Sequence, residues 1–417
     1  MVQEALPVAE KSFRVYGYRW VVLAAFMLVN LAIQMLWICF APITGPAAKY
    51  YGVTDLSIGL LAMSFMFIYV PISMPVSWLI DKLGYYKAVG LGSVLMAVFA
   101  LLRGFVGSQF TWVMVCTLGI AIAQPFILNA VSTVAAKWFP LEERATASGL
   151  ALVANFIGIA LGEVVTPGLF LQYGIPVMLK IYGVIACVAA VIFIIFTREA
   201  PPTPPGETGQ SDKALVLGGL KEMMKMPNIW LLLVLFLVGM GVFNGISTWI
   251  EDIVRPRGFS ITDAGNLGGA LLLGGIIGAA IFPLLSDKLH RRKIFLQLGL
   301  LLAIPGLIGS TYSTSVGLMM ASMFVLGFFL MGLAPIGYQY AAEITRPAPE
   351  GTSNGLLNLA GQASVVFIYG MEAMKAADGS FTPSLLIMVV MMAITAGLMF
   401  LLTESTMMAG KAVEKEV

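Results

Sequence analysis

Long apolar runs alternate with short polar breaks along most of this chain. A run of about 20 apolar residues is what a helix needs to cross a bilayer. By that measure we expect spans near 19–44, 57–80, 86–107, 110–137, 144–171 and 175–197, then near 228–253, 263–286, 293–312, 315–344, 351–376 and 381–403. In lipid every backbone polar group must pair within its own segment, so these runs predict helices. Pro71, Pro75, Pro125, Pro167, Pro305 and Pro335 interrupt them, each removing a helix hydrogen bond and favouring a kink.

The polar breaks repeat. Asp81-Lys82-Leu83-Gly84-Tyr85-Tyr86-Lys87 returns as Asp287-Lys288-Leu289-His290-Arg291-Arg292-Lys293, shifted by 206 positions, and Gly149-Leu150 returns as Gly355-Leu356 at the same shift. Two similar helical halves in a bilayer are the architecture of a secondary transporter. The expected fold is an all-α membrane protein: twelve transmembrane helices in two pseudo-symmetric six-helix bundles, residues 14–197 and 228–405. Between them, 198–227 forms a cytoplasmic linker. Its run Pro201-Pro202-Thr203-Pro204-Pro205 predicts flexibility. Leu215 to Met226 predicts a short amphipathic helix on the membrane surface.

Composition narrows the function. The 417 residues are 59% hydrophobic and 11% charged, more apolar surface than a soluble fold of this length can hide. A net charge of +2 implies no nucleic-acid partner. Cys39, Cys116 and Cys187 lie in apolar runs without disulfide or metal-ligand spacing, and His290 is the one histidine. No metal and no cofactor are expected, and haem ligation by several histidines is excluded. No phosphate loop or catalytic triad is evident, so the chain is not expected to be an enzyme. The first apolar run is too long for a cleavable signal core. With both termini cytoplasmic, all but six of the 24 Lys and Arg (Lys49, Arg103, Lys180, Arg255, Arg257 and Lys375) fall on the cytoplasmic side, as the positive-inside rule demands. We therefore expect a monomer in the cytoplasmic membrane, with a small-molecule substrate and the lipid bilayer as partners.

Six plus six helices and the repeated charged loop resemble the major facilitator superfamily. Its loop pattern is Gly-x-x-x-Asp-Arg/Lys-x-Gly-x-Arg/Lys. Asp81, Lys82, Gly84 and Lys87 match it, while Ser77 and Pro283 stand at the leading glycine. A carboxylate at a cytoplasmic helix end can latch that face shut by pairing with a neighbouring base. Lys137 or Arg144 is the expected partner of Asp81, and Arg346 that of Asp287; Lys288 belongs to the second loop.

Further blocks are similar to the FLVCR-type haem and choline transporter family. They include Trp37-Ile38, Tyr69-Val70-Pro71, Ala123-Gln124-Pro125-Phe126-Ile127-Leu128, Gly327-Phe328-Phe329, Glu343-Ile344-Thr345 and Ser353-Asn354-Gly355-Leu356-Leu357-Asn358. The resemblance implies facilitated movement of organic cations, choline above all, with haem as an older assignment. It implies a cation site lined by a tryptophan of span 1, a tyrosine of span 7 and glutamines of spans 4 and 11. Trp37, Gln124 and Gln362 match; Asn244, beside Phe243, stands in place of the tyrosine. That departure separates choline itself from the transporter expectation.

The residues alone point the same way. A quaternary ammonium needs aromatic faces, each worth roughly 0.5–2 kcal/mol. The repeat sets Trp37 opposite Phe243, with Tyr338, Tyr340 and Trp249 as further candidates. The mid-span amides Gln34, Gln124, Asn129, Asn155, Asn244, Asn266, Asn358 and Gln362 are either helix glue or site. Glu163 is deep in span 5, where a charge costs about 2.5–3.5 kcal/mol. Cation attraction, proton coupling and an ion pair with Lys180 or Arg103 all remain open for it. Glu343 and Arg346 are expected as a gate pair, and Glu251 and Asp252 as an outer gate with Arg255 or as simple interface charges. Glu372 is equally ambiguous. Span 4 holds no arginine, which favours uniport over proton symport. No mid-cavity base is evident for an anionic substrate, Lys180 aside. The expected function is alternating-access transport of a choline-like organic cation or zwitterion. The alternative is a proton-coupled carrier of another small metabolite or drug using Glu163. A channel or a receptor without transport are the other classes.

Overall fold

The computed structural model describes residues 14–140, 143–205, 220–345 and 350–405. Apolar sequence and the need to pair the backbone internally make helices throughout. In the first half α1 is Arg19–Ile38, extended by a 3₁₀ turn and the short helix Thr44–Tyr51; α2 is Asp55–Leu83; α3 is Tyr85–Arg103. The fourth, α4, is Phe110–Leu128, continued by Val131–Trp138. One helical run, Arg144–Phe196, holds two passages, because the backbone leaves helical geometry at Gly174 (φ 71°, ψ 173°). The side chains prove the reversal. Thr166 and Tyr182, sixteen positions apart, share a hydroxyl–hydroxyl bond of 2.5 Å, whereas a straight helix would set them about 24 Å apart. We label the two arms α5 (144–173) and α6 (175–196).

The second half repeats the plan with α7, Pro227–Thr248, followed by the short helix Ile250–Val254; α8, Ile261–Leu289; α9, Lys293–Tyr312; and α10, Val316–Ile344. Helix α11 is Glu350–Ala363 continued by Val365–Ala373 past a break at Ser364, and α12 is Thr382–Leu398. The described residues therefore make twelve passages, in agreement with the expected spans. All six prolines expected inside spans lie inside helices.

Small residues let the helix backbones touch, which is how packing works where lipid removes any hydrophobic drive. Gly158 of α5 meets the Leu31 carbonyl of α1 and Gly183 of α6 meets Leu101 of α3; in the second half Gly274 and Gly278 of α8 face Phe324 and Phe328 of α10.

The stretch expected to begin a flexible linker is instead anchored at its start. Tyr85 OH and Trp138 Nε1 (3.2 Å) both donate to the Arg198 carbonyl. Glu199 accepts from the Tyr86 backbone N–H (2.9 Å) at the start of α3 and pairs with Lys137 at the end of α4. The other half has the counterpart. Glu404 accepts from the backbone N–H groups of Arg292 (2.9 Å) and Lys293 (3.3 Å) at the start of α9, and Tyr340 OH donates to the Thr403 carbonyl (2.7 Å). In each half a carboxylate just past the sixth helix thus serves the free N–H groups and positive dipole end of the third. The turn before that third helix needs positive φ: Gly84 has φ 85° and His290, its repeat mate, φ 55°. A side chain at Gly84 would also collide with the Glu199 carboxylate. Of the expected amphipathic helix, residues 220–226 are described, with helix at 220–223; the rest lies outside the described residues.

Replacing Glu404 with alanine strips the cap from α9 and should cost about 1 kcal/mol. The expected result is a lower melting temperature in detergent for Glu404→Ala and for Glu199→Ala, with helix content by circular dichroism unchanged.

Candidate functional site

A cavity lies between the halves, and all six residues expected at a substrate site line it: Trp37, Gln124, Phe243, Asn244, Tyr338 and Gln362. Gln34, Asn155 and Asn358, which the sequence left among ambiguous amides, join them. Phe65, Phe156 and Phe236 add aromatic wall, and Met66, Met240 and Met331 add polarisable thioethers. No described lining residue carries a charge.

Trp37, Gln34, Gln124, Asn244, Tyr338 and Asn358 are each held by a definite contact. The Trp37 indole N–H donates to the Ala62 carbonyl (3.1 Å), which fixes the ring and commits its donor. Gln124 Nε2 donates to Gln34 Oε1 (3.1 Å), Asn244 Nδ2 to Ser364 Oγ (3.1 Å), and Tyr338 OH to Asn358 Oδ1 (2.5 Å). Asn155 is only 6% exposed and its Oδ1 has no hydrogen-bond partner among the described residues. Phe236 stacks at a tilt against Tyr338, centroids 4.8 Å apart. Tyr340 and Trp249 are not part of this wall. Tyr340 anchors Thr403, and Trp249 is buried toward one end of the cavity with its N–H on the Ile368 carbonyl (2.9 Å). Asn129 binds Tyr69, Ser73 and Ser77, holding α4 to α2.

One end of the cavity is shut by contacts between the halves. Gly45 N donates to Glu251 Oε2 (2.8 Å), a pair separated by 206 positions and therefore sitting on the two-fold axis of the repeat. Arg255, held by Glu251 (2.7 Å) and Asp252, reaches across to Asp55 (3.1 Å), which also faces Lys375 at 3.6 Å. Burial of Arg255 opposes its charge, but the carboxylates of Glu251 and Asp55 outweigh it and raise its pKa above the ordinary arginine value. Of the two possibilities for Glu251, Asp252 and Arg255, the bridging arrangement is the one found. Three glycines admit the opposite half: Gly45 takes the Arg255 guanidinium, Gly59 the Trp249 ring, and Gly268 the Glu163 side chain.

Glu163 pairs with neither expected base. It is fully buried, neither oxygen has a hydrogen-bond partner among the described residues, and its carboxyl carbon would lie 2.8 Å from a side chain at Gly268. Arg103, also buried, spends its guanidinium on the Leu36 carbonyl, Thr117, Cys39 and the Phe40 ring. Lys180 lies over Phe105. Glu372 pairs with Lys375 (3.5 Å).

Among the described residues, the opposite end shows no latch of the expected kind. Asp81 is exposed with no ion pair among the described residues, because Lys137 is taken by Glu199 and Arg144 Nε donates to the Phe139 carbonyl (3.2 Å). Asp287 pairs with Arg292 (2.5 Å), which is shared with buried Glu343 (3.0 Å), all within one half. Arg346 lies outside the described residues. Lys82 rests over Trp78 (4.8 Å), while Lys87 and Lys288 are exposed. The ion pairs among the described residues that join the halves all belong to the Asp55 end.

Comparison with known proteins agrees with this architecture. The sequence matches the Major Facilitator Superfamily over residues 26–265 and 252–416. It is 29% identical over 365 residues to the human choline/ethanolamine transporter FLVCR2, covering 82% of this chain and 69% of that one. Solute carrier family 49 member A3 of Xenopus tropicalis is 30% identical over 372 residues (84% and 76%). The mouse choline/ethanolamine transporter FLVCR1 is 31% identical over 387 residues (84% and 68%). Among solved structures, a bacterial homolog of the human lysosomal transporter Spinster, inward-facing and unoccupied, superimposes with a TM-score of 0.74 at 17% identity, over 93% of this chain and 98% of that one.

Gly59→Val drives a side chain into the Trp249 ring and should prise the shut end apart. Spin labels at Lys49 and Pro256, in a variant lacking the three native cysteines, should then gain a longer-distance population. Arg255→Ala should shift the same distances the same way.

Proposed function

The chain belongs to the Major Facilitator Superfamily, and on that footing we propose that it carries a choline-like organic cation or zwitterion by alternating access. It is a membrane transporter of a small organic solute and not an enzyme. The observation that supports the cation reading is the cavity wall, which among the described residues holds aromatic faces and amides and no basic side chain. A cation gains from the rings, while a carboxylate would find no counter-charge. The substrate would sit between Trp37 and Phe243, with Gln124, Gln362, Asn244 and Tyr338 as polar contacts.

The two bundles, residues 14–197 and 228–405, would rock about the axis marked by Gly45 and Glu251. With both termini cytoplasmic, closure at the Asp55 end would correspond to the inward-facing state in the cytoplasmic membrane. Asp81, Lys82 and Lys87, with Asp287, Lys288, Arg144, Glu343 and Arg346, would then gate the other face when it closes. The chain would work as a monomer and a uniporter.

A second reading rests on Glu163. A buried carboxyl on α5 with no hydrogen-bond partner among the described residues, packed against Gly268 of the opposite half, is where a proton would be gained or lost as the shut end opens. Proton-driven uptake lost in Glu163→Gln would establish it. Uptake that follows the solute gradient alone, unchanged in Glu163→Gln, would leave Glu163 as packing.

The cation reading is tested by thermal shift of the purified protein against amines, carboxylates and sugars, since a ligand of the folded state raises the melting temperature. Choline-like amines should stabilise it, and Trp37→Ala should weaken their binding by about tenfold. Stabilisation by carboxylates alone would overturn the reading.

A further inference from the structure

We propose that the cavity selects an ammonium headgroup that donates hydrogen bonds, a primary amine, over a fully methylated one; this rests on the cation reading above. The argument starts from which polar atoms of the wall are already committed. The Trp37 N–H is spent on Ala62, so this ring offers only its face. The Gln34–Gln124 bond consumes one amide N–H and one carbonyl and leaves a second carbonyl oxygen free. Asn244 gives an N–H to Ser364 and keeps its own carbonyl oxygen unbonded. Asn155, nine-tenths buried, has a carbonyl oxygen with no partner among the described residues. Three amide acceptors, Gln124 Oε1 on α4, Asn244 Oδ1 on α7 and Asn155 Oδ1 on α5, thus belong to one cavity and lack donors from the described residues, the Asn155 oxygen being the one that is itself fully buried.

A buried acceptor without a donor is costly, and a substrate N–H would recover that cost. A primary ammonium brings three N–H donors and a full positive charge. A quaternary ammonium brings none, and its methyl groups would cover the same oxygens while leaving them dry. With no carboxylate among the described wall residues, the aromatic rings are what a quaternary head can use, and Asn244 sets an amide rather than a ring beside Phe243. A site built to bond an N–H rejects the analogue lacking it far more strongly than an apolar pocket rejects an extra methyl.

The test is uptake of ethanolamine, N-methylethanolamine, N,N-dimethylethanolamine and choline by the full chain in liposomes at neutral pH, where all four are cations. The expected result is a fall in kcat/KM with each methyl, at least about tenfold over the series. Asn155→Leu and Asn244→Leu should flatten the series, and Asn155→Asp, which keeps an acceptor, should preserve its order. Should Asn155→Leu fail to fold, as judged by gel filtration, Asn244→Leu carries the comparison. Choline transported as well as ethanolamine, with both lost in Trp37→Ala, overturns the selectivity and leaves the cation reading standing. Uptake of none of the four overturns both.

Discussion

Lipid offers no partner to a polar group, and that constraint orders the whole molecule. It turns the backbone into helices and drives the paired charges to the two ends. The contrast along the long axis is sharp. Asp55, Glu251, Asp252, Arg255 and Lys375 crowd one end, and Asp287, Arg292, Glu343, Lys137 and Glu199 lie at the other. The cavity between them has no charge in its described wall. Glu163 and Arg103 are the exceptions within the membrane. Arg103 meets the constraint by collecting a carbonyl, a hydroxyl, a thiol and a ring, whereas Glu163 does not meet it at all.

The same constraint shapes how the halves meet. Two packed helix pairs, α2 with α11 and α5 with α8, join them, and the repeat makes these seams equivalent. Gly59 of α2 and Gly265 of α8 occupy matching positions, and both receive atoms of the opposite half. Glycine here supplies close approach without adhesive side chains, so the seam is tight but not interlocked. Among the described residues, polar adhesion is confined to Gly45 meeting Glu251 and Asp55 meeting Arg255 and Lys375. A joint of this kind can part by exchanging a few ion pairs for water at the membrane edge, while each half stays stapled by Glu199 or Glu404.

Much of this was legible in the sequence because the periodicity of membrane helices is coarse and strong. Span positions and the two halves follow from apolar runs and a 206-residue shift, which also sets Trp37 opposite Phe243; Gln124, Gln362 and Asn244 were marked by the family resemblance, and Tyr338 by its aromatic ring on span 10. The gates were less legible. The sequence shows that Asp81 and Asp287 repeat, but not that Lys137 turns toward Glu199 or that Arg292 lies between Asp287 and Glu343. Ion-pair choice depends on side-chain reach across helices distant in sequence, and several bases compete for each acid. Glu199 and Glu404 carried a signal that went unused: each follows a threonine or arginine just past the last apolar residue of its half, near the same repeat spacing. Gly59 had none, since one glycine among 44 does not announce the tryptophan it faces.

An uncharged cavity also bears on turnover. A carrier must bind its solute well enough to reorganise around it and loosely enough to release it on the far side. A buried carboxylate would hold a cation too firmly and would itself need a proton or counter-ion each time the site emptied. Amide carbonyls and ring faces avoid both problems. They are polar enough to replace part of a cation's hydration, and they remain neutral when it leaves. The amides also restrain one another, Gln34 with Gln124 and Asn244 with Ser364, so part of the wall stays ordered without a ligand. In the proposed alternating-access cycle, charges at the ends and a neutral middle would let the ion pairs set which face is open, while the cavity sets what may pass.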